Sequence, residues 1–267
     1  MLSLFGPRLP IDADELEWQL ASFKWLGEEF GEVGETPLVL PTAEWFPSSP
    51  ATGEARIREL FDTVRSLAGM EQWECELRPG ERSRPVAAGN AHLLRHEGPA
   101  APSGTFEMAA AEEGSSRVVI TYNPDLEAAP AQLIATFAHE LAHYLMHSAQ
   151  TAPPGGWDLH ELHTDLCAVY MGFGIFLANG ARSFSQFQSA GEMGWSSSTQ
   201  GYLSEGALVT ATAIFQRLAE RDPMEAAPYL KDYLQKDLRN AERALVKRHP
   251  DMKATVAAID LSEFVRD

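Results

Sequence analysis

Apolar residues recur at helical spacing in two stretches near the start of the chain. In "DADELEWQLASFKWLGEEFG", Leu16, Leu20, Phe23, Trp25 and Leu26 fall close to a 3.6-residue period. Acidic residues open that stretch, where they suit the positive end of a helix dipole. In "EARIRELFDTVRSLAGM", Ile57, Leu60, Phe61, Val64 and Leu67 share one face. The intervening "GETPLVLPTAEWFPSSPATG" is rich in Pro and Gly and reads as a loop. The pattern then changes. "WECELRP", "NAHLLRHE", "GTFEMAA" and "SRVVITYN" are short, Gly, Pro and Ser separate them, and the last is rich in β-branched residues. They predict a small, mostly antiparallel sheet.

"NPDLEAAP" leads into a helix with Pro130 in its first turn, a position that tolerates the missing N–H. That helix carries "FAHELAHYLMH", Phe137 to His147. After Pro153-Pro154-Gly155-Gly156 a second helix is expected from about Asp158 to about Ala178. The Ser- and Gly-rich run from Ser183 to Gly201 reads as looser. Two more helices are expected, from about Leu203 to Glu220 and from about Pro223 to Lys247. The fold class is therefore α+β with a mainly helical C-terminal half. No clean linker divides it, so one domain is expected over 1–267. Its parts are a helical 1–70, a sheet with the histidine helix in 71–148, and a helical 149–267.

Composition narrows the function classes. A chain of 267 residues, 45% of them hydrophobic, can bury a proper core. Its net charge of −17 argues against nucleic acid, whose backbone selects clustered Lys and Arg. The two cysteines, Cys75 and Cys167, form no CxxC pair, so neither a disulfide framework nor a thiolate zinc knuckle is indicated. Pro7, Arg8 and Pro10 interrupt the place where a signal peptide keeps its apolar core. "LCAVYMGFGIFLANGA", Leu166 to Ala181, is too short and too glycine-broken for a membrane span. A cytoplasmic protein without a membrane span is expected.

The chemistry concentrates in the histidine helix. His139 and His143 are four residues apart and so present two imidazoles on one face. Glu140 is displaced around the cylinder, where it can reach a metal-bound water without binding the metal. Zinc held by three protein ligands keeps one position open and lowers the pKa of its water to about 7. A nearby carboxylate can take that proton and pass it to a leaving amine. The neighbours Phe137, Ala138, Leu141, Ala142 and Leu145 predict a buried helix, in which unligated imidazoles would need other partners.

A third ligand must come from elsewhere. The compact HExxHxxGxxH form is excluded, because Met146 and Ala149 stand at its glycine and last histidine. Glu161, 18 residues after His143, is the leading candidate. Asp165 lies one turn further on the same face, where it can accept the second ring N–H of a liganding histidine. Asp165 itself, His160 and His163 are the alternatives. His147 sits too far along to share the ion.

HELAH followed by Glu161-x-x-x-Asp165 resembles the gluzincin metallopeptidases. "HELAHYLMH" is similar to the ImmA/IrrE-type proteins, and "ELHTD" to the Glu-x-x-Ala-Asp of HtpX-like peptidases. The chain departs from both, with Thr164 in place of that alanine and no membrane spans expected. The resemblance covers roughly Val118 to Ala178. It implies a zincin-like fold with the sheet packed on the active-site helix. It also implies Zn2+ on His139, His143 and Glu161, Glu140 as general base, Asp165 behind a ligand, and hydrolysis of a peptide or protein substrate.

Such a peptidase needs a donor for the oxyanion, for which Tyr202, Tyr144, His160 and His163 are candidates. It also uses a sheet edge to align substrate, which "SRVVITY" or "GTFEMAA" can supply. Gly172-Phe173-Gly174 reads as a step that lets two helices pack closely. The competing classes are a sensor or regulator that uses this scaffold only to bind, and an interaction protein with no functional site.

Overall fold

Asp12 starts the first helix, α1 (Ala13–Phe30), by accepting a hydrogen bond from the Glu15 N–H. A computed structural model describes residues 9–80, 104–110, 116–188 and 202–265. The second helix, α2 (Gly53–Leu67), buries Ile57, Leu60, Phe61 and Val64, four of the five positions its period selects. Three strands follow: β1 (Cys75–Pro79), β2 (Gly104–Ala110) and β3 (Ser116–Tyr122). "NAHLLRHE" lies outside the described residues.

The sheet is mixed rather than mostly antiparallel. β3 lies in the centre, antiparallel to β2 and parallel to β1, with Cys75 opposite Val118 and Gly104 opposite Tyr122. A parallel pair needs a long crossover, and the chain between Pro79 and Ser116 is long enough to supply it. The short strand motifs carried no information about direction.

The histidine helix, α3 (Pro130–Met146), lies at the centre of the fold. Leu133, Ile134, Phe137, Ala138, Leu141 and Ala142 are all buried on it. Phe137 meets Phe61 of α2 and Tyr122 of β3 edge-on, at 5.1 and 6.2 Å between ring centres. α3 is thus pinned between a helix and the sheet. Burying one large aromatic ring contributes roughly 2–3 kcal/mol, so this junction fixes the helix firmly.

The second helix of the site is shorter than expected. It starts as a 3-10 turn (Trp157–Leu159), continues as α4 (His160–Ala168), and is interrupted by a π-turn, Val169–Phe173. It resumes as α5 (Gly174–Gln188), and residues 189–201 lie outside the described part. Gly172 causes the break, with φ 94° and ψ 4°, in the left-handed region that only glycine adopts without strain. Its carbonyl accepts from the Val39 N–H, and a Cβ there would lie 2.0 Å from the Pro37 oxygen. Gly172 therefore serves a loop contact, not helix packing. Gly174 does serve helix packing, since a Cβ on it would lie 2.3 Å from Thr212 Oγ1 on α6 (Glu205–Leu218). Gly172→Ala combines strain with a backbone clash. It is expected to cost about 2 kcal/mol or more, read as a lower urea midpoint at unchanged slope.

The last long helix, α7, begins at Asp232 rather than Pro223 and ends at Arg248. Pro228 cannot continue a helix and instead heads the 3-10 turn Ala227–Tyr229. Asn179 holds that turn, donating to the Tyr229 carbonyl and accepting from the Lys231 N–H. A short α8 (Met252–Ala257), capped by Asp251, was not expected. Among the described residues no helix is long and apolar enough to cross a membrane.

Candidate metal centre

α3 is apolar on nearly every side, so it carries its polar residues inward. His139 and Glu140 are only 2% and 3% exposed. α4 packs beside it and supplies the facing carboxylates. Glu161 Oε2 lies 3.3 Å from His139 Nε2 and 3.5 Å from His143 Nε2. Ligand atoms of His139, His143 and Glu161 all lie within 4.8 Å of one another, so this group can hold a metal ion.

The outer ring nitrogens are engaged. His139 Nδ1 is 3.0 Å from Asp165 Oδ1, and His143 Nδ1 is 3.2 Å from Thr164 Oγ1. Asp165 is not the convergent carboxylate: Oδ1 meets the far side of His139, and Oδ2 accepts from the Leu203 N–H at 2.8 Å. Asp165 therefore ties a histidine to the segment that carries Tyr202.

Glu161 Oε2 is buried and accepts no hydrogen bond of ordinary geometry. A buried carboxylate oxygen is costly unless positive charge faces it. Flanked by two imidazole Nε2 atoms, it fits a divalent cation, and the nitrogen and oxygen donors suit zinc. The charges agree. Burial works against a charge on His139, yet Asp165 and Glu161 outweigh it and push its pKa up to about 10. Burial opposes ionisation of Glu161 too, but the two histidines hold its pKa well below the usual carboxylate range. This place is built to hold positive charge.

Glu140 contributes a different property. Burial, helped by Glu161 and opposed by His139, raises its pKa to about 7. Burial, with the charges of His139 and His160, lowers that of His143 despite Glu161. Burial and then the carboxylates of Glu161, Asp165 and Glu140 push the Tyr202 phenol up, which keeps it a neutral donor.

A cavity of about 400 Å3 opens over these groups, lined also by Gly104, Thr105, Phe106, His160 and Tyr202. A Cβ on Gly104 would lie 2.6 Å from Thr136 Cγ2 and 2.8 Å from Glu140 Oε1, so the missing side chain lets β2 run close to Glu140. Phe106 stacks over His143, 6.1 Å between ring centres at 20°. A larger cavity, about 540 Å3 and lined by α1 and α8, has no histidine among the described residues that line it, so donor geometry rather than volume identifies the site.

The other sequence candidates separate cleanly. Tyr202 and His160 line the cavity; the Tyr202 ring lies 5.5 Å from that of His139, and His160 Nε2 lies 3.1 Å from Glu161 Oε1. His163 does not: it is buried beside Trp18 and Trp25, and its Nε2–H donates to the Pro154 carbonyl. The Tyr144 hydroxyl donates to the Glu74 carbonyl, away from the cavity, and His147 is exposed near Phe106. The strand beside the cavity is "GTFEMAA", because "SRVVITY" forms the middle of the sheet. Sequence reasoning missed Thr164, Gly104 and Phe106 as cavity or support residues. For Thr164 the available signal was a hydroxyl next to Asp165. Comparison with protein families, curated proteins and solved structures gives no match to this chain.

Proposed function

We propose that the protein is a cytoplasmic, zinc-dependent peptidase of the gluzincin type, acting on a peptide or protein substrate. The observation that carries the reading is the convergence of His139, His143 and Glu161 beneath a cavity with Glu140 in its wall. Zinc bound there would polarise a scissile carbonyl and lower the pKa of a water to about 7. The chain's own residues account for the rest. Asp165 keeps the His139 proton on Nδ1, so that Nε2 faces the shared point. The Glu140 carboxylate accepts a proton from the attacking water and returns it to the leaving nitrogen, and burial, by raising its pKa above the ordinary carboxylate value, helps it hold that proton between the two transfers. The Tyr202 hydroxyl and the His160 ring stand in the cavity wall as donors for a developing oxyanion. Among the described residues β2 pairs on one side only, and its other side can align a substrate backbone.

A sensor built on the same scaffold would have no use for a proton acceptor at Glu140, and the cavity over that residue favours turnover. The test is metal removal. Protein stripped with a chelator should leave unstructured peptides intact by mass spectrometry, and one equivalent of zinc should restore cleavage. Metal-replete protein that cleaves none of a broad peptide library, or cleavage that survives chelation, would defeat the peptidase reading.

A further inference from the structure

We propose that Thr164 is a positioning residue that fixes the His143 ring with its proton on Nδ1 and its Nε2 turned to the metal point. A mid-helix threonine commonly bonds the carbonyl one turn back, and Thr164 does so, its Oγ1–H donating to the His160 carbonyl at 2.8 Å. The second contact changes its meaning. Its only proton is committed to His160, so the 3.2 Å contact with His143 Nδ1 requires the hydroxyl to accept and the ring to donate. That assigns the tautomer of His143. No other hydrogen-bond partner of His143 Nδ1 occurs among the described residues, and Thr164 is only 1% exposed, so water has little access to replace it.

The arrangement mirrors what Asp165 does for His139. Two consecutive residues of α4 each take the outer nitrogen of one imidazole of α3, and both rings then face Glu161 with Nε2. An alanine at position 164, as in the pattern this segment otherwise resembles, would leave His143 without that acceptor. The partner is a neutral hydroxyl rather than a carboxylate, so it sets orientation without adding a further negative charge. The carboxylates of Glu140, Glu161 and Asp165 already crowd the centre, and a further one would raise the pKa of Glu140 more.

The inference rests on the metal-centre reading above, and two measurements separate the failure of one from that of the other. The first is the tautomer in metal-free protein, by long-range proton–nitrogen correlation on 15N-histidine-labelled samples. Wild-type His143 is expected as the Nδ1–H form, Thr164→Ser as the same, and Thr164→Val shifted toward Nε2–H. The second is zinc affinity by competition with a chromophoric chelator. Thr164→Val is expected to bind about 10- to 100-fold more weakly, and Thr164→Ser within about threefold of wild type. An unchanged His143 tautomer in Thr164→Val, or equal zinc affinity in the Val variant and wild type, would overturn the assignment. So would a Ser variant as impaired as Val, since the hydroxyl would not then be the relevant group. If the wild type binds no zinc, the metal centre falls, while the tautomer comparison still decides what Thr164 does to His143.

Discussion

Glu161→Ala is expected to weaken zinc binding by about 10²- to 10³-fold. A four-ligand zinc site is worth about 10–16 kcal/mol, so one ligand carries roughly 3–4, and 1.4 kcal/mol is a factor of ten. Glu161 contributes the carboxylate oxygen that faces both Nε2 atoms, and with Asp165 and Glu140 it holds charge on His139. Asp165→Asn removes only the support behind His139 and should cost less, about 10- to 100-fold. The order of the two losses is the informative result. A larger loss for Asp165→Asn than for Glu161→Ala would make Asp165 the ligand. Proton competition gives a second signature. In the metal-free protein the facing carboxylates of Asp165 and Glu161 favour the protonated form of His139, so a cation must displace that proton at neutral pH. Zinc affinity should therefore fall as pH falls, and calorimetry in buffers of different ionisation enthalpy should register proton release.

What the sequence disclosed depends on how local the cause was. α1 and α2 were legible because one apolar face repeats at helical spacing, and α3 because its apolar surround leaves it nowhere but the interior. The pairing of His139 with His143 follows from helix geometry alone. The approach of Glu161 does not, because it depends on how α4 is rotated against α3. The spacing allowed that approach, and the packing of the two helices supplies it. The role of Thr164 escaped for the same reason: a hydroxyl beside Asp165 is visible, but its meeting with His143 joins two helices and needs a specific rotamer. Tyr202 is placed from further away, through the hydrogen bond from the Leu203 N–H to Asp165. Strand direction also escaped, since alternation fixes which face a residue takes and not which way the chain runs. The break at Gly172 arose from a loop that packs across it, and glycine in an apolar run carries no mark of such a partner. In each case the missing information was a contact between segments distant in sequence.

Glu140→Gln is expected to lower the rate of peptide hydrolysis by about 10³-fold while leaving zinc affinity within a few fold. General acid–base catalysis contributes about 10² to 10⁴, and among the described residues Glu140 is the one acidic side chain in the cavity wall outside the convergent ligand group. Glutamine keeps the size of the side chain beneath Gly104, so the packing of β2 on α3 should persist and the thermal midpoint should hardly change. The pH dependence separates loss of a base from loss of shape. Burial sets the Glu140 pKa at about 7 without metal, and an adjacent cation would stabilise the carboxylate and bring it lower. The base form dominates above that pKa, so wild-type kcat/KM should fall as pH falls through it. The residual activity of the Gln variant should lack that acid limb. A variant that keeps more than about a tenth of wild-type activity, or keeps the limb, would place the proton acceptor elsewhere. If the wild type turns over no peptide but binds one reversibly, and the Gln variant binds it equally well, the centre serves recognition alone, and the cost of burying Glu140 must be explained by something other than catalysis.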